Sequence, residues 1–248
     1  MRNRKYLIGA LVGVIGALAF SGVASAAPTG QTLQTTLAPA KQDKKIFGGV
    51  SLHNIISTTI TDPPTTQSPK TTVFTIDPNV KFVNGNIPVC PLSAIQGKFT
   101  AQAQAACPQS ITGSGSVQVN GGAIGGNVTF FSGGPSTIYV QTDIGPGATT
   151  LTIIGTISGK TLTFSNIPNT PGLVLTKFDT TFNKRRTGKQ TFKVKGKKKH
   201  VPTFYVMARC KKKRWATSET TTFYSGEVFT ASASQKCKAK GKKKNKKK

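Results

Sequence analysis

Residues 149–165 read TTLTIIGTISGKTLTFS. Two threonine- and isoleucine-rich runs of period two flank Ser158-Gly159-Lys160, and a glycine at such a point supplies the backbone freedom of a tight hairpin. The same period continues in both directions. Toward the C-terminus, strand-like runs lie at 173–182, 203–210, 215–224 and 227–234, the last two joined by Ser225-Gly226. Toward the N-terminus they lie at 137–141, 128–132, 116–119, 80–82, 71–76 and 51–61, and the prolines of DPPTTQSPK (62–70) break the chain between the last two. Ten or more short strands with turn punctuation and no long amphipathic helix predict an all-β fold. The expected form is an antiparallel β-sandwich, with a jelly roll as one arrangement. One domain over 46–237 has an ordinary size for it.

The exception to the period is 87–119, IPVCPLSAIQGKFTAQAQAACPQSITGSGSVQV. Ser93 and Gln96 have capping-box spacing, and TAQAQAA (100–106) reads as a short helical insert that would be marginal in water without support. Cys90 and Cys107 bracket that insert. With Cys210 and Cys237 they make four cysteines, which allow three disulfide pairings. The nearest-neighbour choice, Cys90–Cys107 and Cys210–Cys237, keeps each bridge within one local unit. No pair has CxxC spacing and the only histidines are His53 and His200, so neither metal nor cofactor is expected.

The ends have separate characters. Residues 1–26 read as a signal peptide: Arg2, Arg4 and Lys5, an apolar core at 6–20, then Ala24-Ser25-Ala26. A secreted or extracellular protein is expected, with no transmembrane segment after leader cleavage and disulfide chemistry open to its cysteines. Residues 27–45 are polar and threonine-rich, and predict a flexible N-terminal arm. Residues 238–248, KAKGKKKNKKK, predict a disordered polylysine tail.

Charge is distributed unevenly. The chain has 34 Lys and Arg against 7 Asp and Glu. Without the three basic leader residues the net charge is +24, and 24 basic against 3 acidic residues from Lys177 onward supply +21 of it. The candidate anion-binding patch comprises Lys184, Arg185, Arg186, Lys197, Lys198 and Lys199, followed by Lys211, Lys212, Lys213 and Arg214. Aromatics are interleaved at Phe192, Phe204, Tyr205, Trp215, Phe223 and Tyr224. Such a surface meets phosphates and stacks on bases in nucleic-acid binders. Here lysine outnumbers arginine, which suits diffuse attachment and predicts no specific nucleic-acid partner. Alternatively the aromatics fill the core and the lysines serve solubility.

Catalytic patterns are sparse. The glycines of 113–126 lack GxxxxGK[ST] spacing and precede strand-like sequence, so turns and bulges explain them. A glycosidase needs two carboxylates on one sugar bond. If Ser225-Gly226 is a two-residue turn, Glu219 opposes Ser232 and points away from Glu227. Asp143 reads as a turn cap and Asp179 as a charge partner of Lys177 or a nearby arginine. Neither histidine lies near a GxSxG elbow. Asn127-Val-Thr129 is a glycosylation sequon by pattern alone, in a chain whose leader has bacterial character.

The runs NIPVCPLSAI (86–95), AACPQSITGSGS (105–116), IPNTPGLVLTKFDTTF (167–182) and FYVMARCKKKRWATSETTTFYSG (204–226) resemble a group of uncharacterised secreted β-rich proteins from actinobacteria. The resemblance covers Val73 to Cys237 and implies a bacterial exported β-protein. Its motifs are cysteines, glycines and a Trp-bearing strand, and it carries no activity with it. The expected role is a non-enzymatic β-sandwich associating by charge with anionic cell-envelope polymers, including acidic polysaccharide or lipid head groups. The alternative is a polysaccharide-binding or adhesion module using exposed aromatics, above all Trp215. A hydrolase built on Asp143 or Asp179 is the third reading.

Overall fold

The computed structural model describes residues 28–60, 68–84, 87–145, 149–170, 172–183, 185–194 and 196–240. The signal peptide, Lys184 and the tail beyond Lys240 lie outside the described residues. The N-terminal half holds β1 (Pro28–Ala38), β2 (Lys41–Gln42), β3 (Gly48–Ile60), β4 (Pro69–Thr75) and β5 (Val80–Phe82), then helix α1 (Thr100–Ala106). A meander follows: β6 (Ile111–Val119), β7 (Ile124–Ser132), β8 (Thr137–Ile144), β9 (Thr149–Ser158) and β10 (Thr161–Phe164). The chain continues through β11 (Leu175–Phe182), β12 (Arg185–Val194), β13 (Lys197–Phe204) and β14 (Val206–Ala208). It ends in β15 (Arg214–Phe223), β16 (Val228–Lys236) and β17 (Lys238–Ala239).

Thirteen strands form one sheet in the order β16-β15-β4-β10-β9-β8-β7-β6-β11-β3-β14-β5, with β1 added on β3. The pairing is antiparallel throughout, and the fold is all-β and sandwich-like without being a closed barrel. Ser158 faces Thr161, so Gly159 and Lys160 alone turn the chain; Gly159 has φ 57°, open to glycine at little steric cost. The sheet curls until its two ends approach. Thr217 Oγ1 donates to Thr35 Oγ1 at 2.9 Å and Gln31 Nε2 to Thr221 Oγ1 at 3.2 Å, so β1 meets β15 through side chains. One core joins Leu33 and Leu37 of β1 to Val117, Phe130, Val140 and Leu162 of the meander and Trp215 of β15.

The outer face of β7 and β8 carries a second, smaller core. Cys90, Ile95, Ala103 and Cys107 pack there on Phe131. Cys90 is bonded to Cys107 and Cys210 to Cys237, with Cα separations of 5.6 and 5.8 Å. Two disulfides and no free cysteine fit maturation in an oxidising, non-cytoplasmic compartment. Among the described residues no helix is long and apolar enough to cross a membrane.

Three local expectations are corrected. The segment 27–45 is not a flexible arm: Pro28–Ala38 pairs with β3 along its length, Leu33 and Leu37 being buried. Threonine is β-branched and suits a strand, and two leucines at even spacing are enough to seat it. The basic tail starts in ordered structure, since β17 runs parallel to β2 and Lys240 N–H donates to Gln42 O at 2.8 Å. Ser93 caps nothing; residues 92–94 make a 3-10 turn after Pro91, and Gly97 follows at φ 70°. The α-helix begins at Thr100, where Gln102 Oε1 accepts from Phe99 N–H at 3.2 Å and both Asp143 oxygens accept from Thr100 N–H at 2.9 and 2.8 Å.

Candidate anion-binding surface

The hairpin β12–β13 stands off the main sheet as a two-stranded ribbon. Its register sets Phe192 opposite Lys199 and Gln190 opposite Val201 on one face, and Lys193 opposite Lys198 and Thr191 opposite His200 on the other. The first face docks. Phe192 stacks on Phe47 with ring centres 6.5 Å apart, and Lys81 Nζ lies 4.6 Å from the Phe47 ring and 5.7 Å from that of Phe192. Lys81 also donates to Gln190 Oε1 at 3.3 Å. Burial, with the nearby Arg209 charge, holds the Lys81 ammonium below its ordinary pKa.

With Phe192 anchored, alternation turns the other face outward. It presents Lys189, Lys193, Lys198 and His200, all exposed, and Thr191 Oγ1 lies 3.0 Å from His200 Nδ1. Lys197 and Lys199 are exposed too. Arg185 and Arg186 open β12, and Lys184 falls outside the described residues. Like charges directly opposite one another on a ribbon cost up to about 1 kcal/mol, and no acidic residue lies anywhere in 183–204 to offset that.

The second basic segment adjoins the first. Arg209 Cζ sits 4.7 Å from the Phe47 ring, on the residue before Cys210. Lys211, Lys212 and Lys213 then form an exposed loop between β14 and β15, and Arg214, exposed as well, opens β15. The Cys210–Cys237 bridge fixes both its flanks, and Cys237 N–H donates to Lys213 O at 2.9 Å. Arg214 is paired in register with Lys236, and Lys41 with Lys238, which adds basic residues around the loop. Among the described residues both ion pairs are on Asp179, with His53 at 2.7 Å and Lys177 at 3.5 Å. Lys197, Lys198, Lys199, Lys211, Lys212, Lys213 and Arg214 take no part in them.

The aromatics behave otherwise than their spacing beside lysines suggests. Trp215 is 1% exposed and its Nε1 donates to Arg209 O at 2.8 Å. Tyr205 and Phe223 are buried as well. Trp215 therefore offers no face for stacking on a sugar ring.

The carboxylates are dispersed. Asp43 and Asp77 accept backbone N–H groups of Lys45 and Asn79, Asp143 caps α1, and Asp179 takes the charge partners just given. Asp62 lies outside the described residues. The β15–β16 register differs by one residue from a two-residue turn: Glu219 opposes Ala231, and Phe223 N–H donates to Glu227 O at 2.9 Å across a three-residue loop. Glu219 and Glu227 thus share a face, four residues of strand apart. Glu219 is 2% exposed, and burial pushes its carboxyl up to about 7 against the opposing pull of the Thr221 hydroxyl. The signal for it was in the sequence: Trp215, Thr217, Glu219, Thr221 and Phe223 alternate on one face, and the tryptophan and phenylalanine mark that face as core.

Among the described residues no three His, Cys, Asp or Glu side chains gather as a metal site would need. Comparison with protein-family models, curated proteins and solved structures finds no match.

Proposed function

We propose that the chain is an exported, non-enzymatic protein that holds to anionic polymers of the cell envelope through the outward face of β12–β13 and the loop of Lys211–Arg214. One observation carries this reading: Lys193 and Lys198 are opposite each other on a ribbon without a carboxylate. A bound polyanion offsets that repulsion, whereas a hairpin shaped only for solubility gains from interspersed acids. The ribbon is also held rigid from beneath by Phe47, Phe192 and Lys81, so its charges arrive in fixed positions. Lysine ammoniums at strand spacing match a flexible polymer of phosphate or carboxylate better than a single planar group.

The experiment is a salt-graded wash of cells producing the protein. Release should rise steeply between low and physiological ionic strength, because exposed charges are screened over about 8–10 Å there. Protein found wholly in the medium at low salt would refute attachment. Vesicles with anionic head groups and purified anionic wall polymer, run side by side, identify which envelope component is bound.

A further inference from the structure

The curled sheet holds a partly open cavity of about 140 Å³. Phe74, Val117, Phe130, Val140, Leu162 and Phe182 are among the apolar residues of its wall. One end is polar. There Thr221 Oγ1 accepts from Gln31 Nε2 at 3.2 Å, contacts Thr72 Oγ1 at 3.2 Å, and donates to Glu219 Oε1 at 3.0 Å. Because Thr221 has one hydrogen and gives it to Glu219, Thr72 is the donor in their contact.

This network stops short. Gln31 Oε1 and Glu219 Oε2 are buried without a hydrogen-bond partner, and so is Thr142 Oγ1 on β8; all three residues line the cavity. Folded proteins seldom leave buried polar atoms unmet, and here three residues lining one cavity each carry such an atom. A cavity of roughly 150 Å³ with apolar walls is known to take up benzene. Ile167, Pro168 and Leu173 line one end of the space, while Ser68 Oγ bonds Thr170 Oγ1 at 2.9 Å and Leu173 O at 3.1 Å.

We propose that this cavity is a binding site for a small, mostly apolar molecule bearing one hydroxyl, seated with that hydroxyl against Glu219 and Gln31. The amide oxygen of Gln31 can only accept, so the ligand must donate. A protonated Glu219 can donate to the hydroxyl oxygen while the hydroxyl donates to Gln31, so one hydroxyl serves both groups in that state. Among the described residues the wall offers no further charge to pair with an ionic ligand. The site is separate from the basic ribbon and does not depend on its role.

Solution NMR on the full chain, with phenol and benzene as probes, tests this. Both should show nuclear Overhauser contacts to the methyl groups of Val140 and Leu162, with phenol binding at least about tenfold more tightly, the worth of one well-made buried hydrogen bond. Glu219→Leu should bring the two probes to within about twofold of each other while benzene still binds. Gln31→Leu should narrow the gap likewise, and serves if the first variant does not fold. Absence of ligand contacts to either methyl in the unaltered chain, or a phenol preference untouched by a variant that folds, overturns the assignment.

Discussion

Gln235 holds the backbone of Leu37 at both ends of its amide: Oε1 accepts from Leu37 N–H at 2.6 Å and Nε2 donates to Leu37 O at 3.0 Å. One side chain on β16 thereby does for β1 what a neighbouring strand would do. Removing it leaves two backbone groups of a buried residue unmet. Gln235→Ala is expected to lower unfolding stability by about 1–3 kcal/mol, measured by urea denaturation. Gln235→Glu, which keeps the acceptor and loses the donor, should fall between.

Glu219 makes stability depend on pH in an unusual direction. Its carboxyl sits at about 7 in the fold against an ordinary 4.5, so the folded state holds the proton more tightly than the unfolded chain. Stability should be greatest below pH 4.5, decline from there to pH 7, and level off above. The span is about 3 kcal/mol, at 1.36 kcal/mol for each unit. No other ionisable side chain lines the cavity among the described residues; Phe74 and Ala231 flank Glu219, β1 presents Gln31, and Glu227 lies at the turn. Denaturation at pH 4 to 8 should show the decline in the unaltered chain and lose that component in Glu219→Gln.

Lys198→Glu should separate stability from attachment. Opposite Lys193 it replaces repulsion by attraction, so the ribbon gains on the order of 0.2–1 kcal/mol. Retention on the anionic envelope should fall in the same variant, seen as release at lower salt. A loss of both, or of neither, contradicts the role given to the ribbon.

Converting Cys90 and Cys107 to serine should cost about 3 kcal/mol, the entropy of a loop of that size. The damage should be local. Helix α1 lies on the outer face over Phe131, so amide exchange should quicken in 90–110 ahead of β8 and β9.

Gly115→Ala should be severe. A Cβ there would stand 2.0 Å from Asp179 O on the neighbouring strand, forcing β6 and β11 apart; about 1–3 kcal/mol or more is expected. Gly30→Ala meets nothing within 4 Å and serves as the control, with at most a small gain.

The strand content was legible because threonine, valine and isoleucine repeat at period two between glycine and proline breaks. The Gly159 hairpin and the concentration of basic charge from Lys177 onward followed from local sequence alone. The first strand escaped notice because Leu33 and Leu37 are its only large apolar inward residues, and its partner β3 lies beyond the nine-residue connection 39–47 that includes β2. Parity along β15 already sends Glu219 inward; what escaped was Glu227 sharing its face. One extra residue in the 224–226 loop reverses which side chains face inward on the returning strand, and that count is not fixed by Ser225-Gly226. The polysaccharide-binding alternative needs Trp215 at the surface, yet parity along β15 sends it to the core. The approach of β1 to β15 and β16 depends on how far the sheet curls, which no local pattern encodes.

That approach divides the molecule's resistance to deformation unequally. Every other boundary between neighbouring strands of the curl is a ladder of backbone bonds that must fail cooperatively. Along β1 the boundary consists of separate side-chain links, Gln31 to Thr221, Thr35 to Thr217 and Leu37 to Gln235, each breakable alone. Under stress the sheet should part there first, and Gln31, the link nearest the polar end of the cavity, makes that line a graded passage between the interior and solvent.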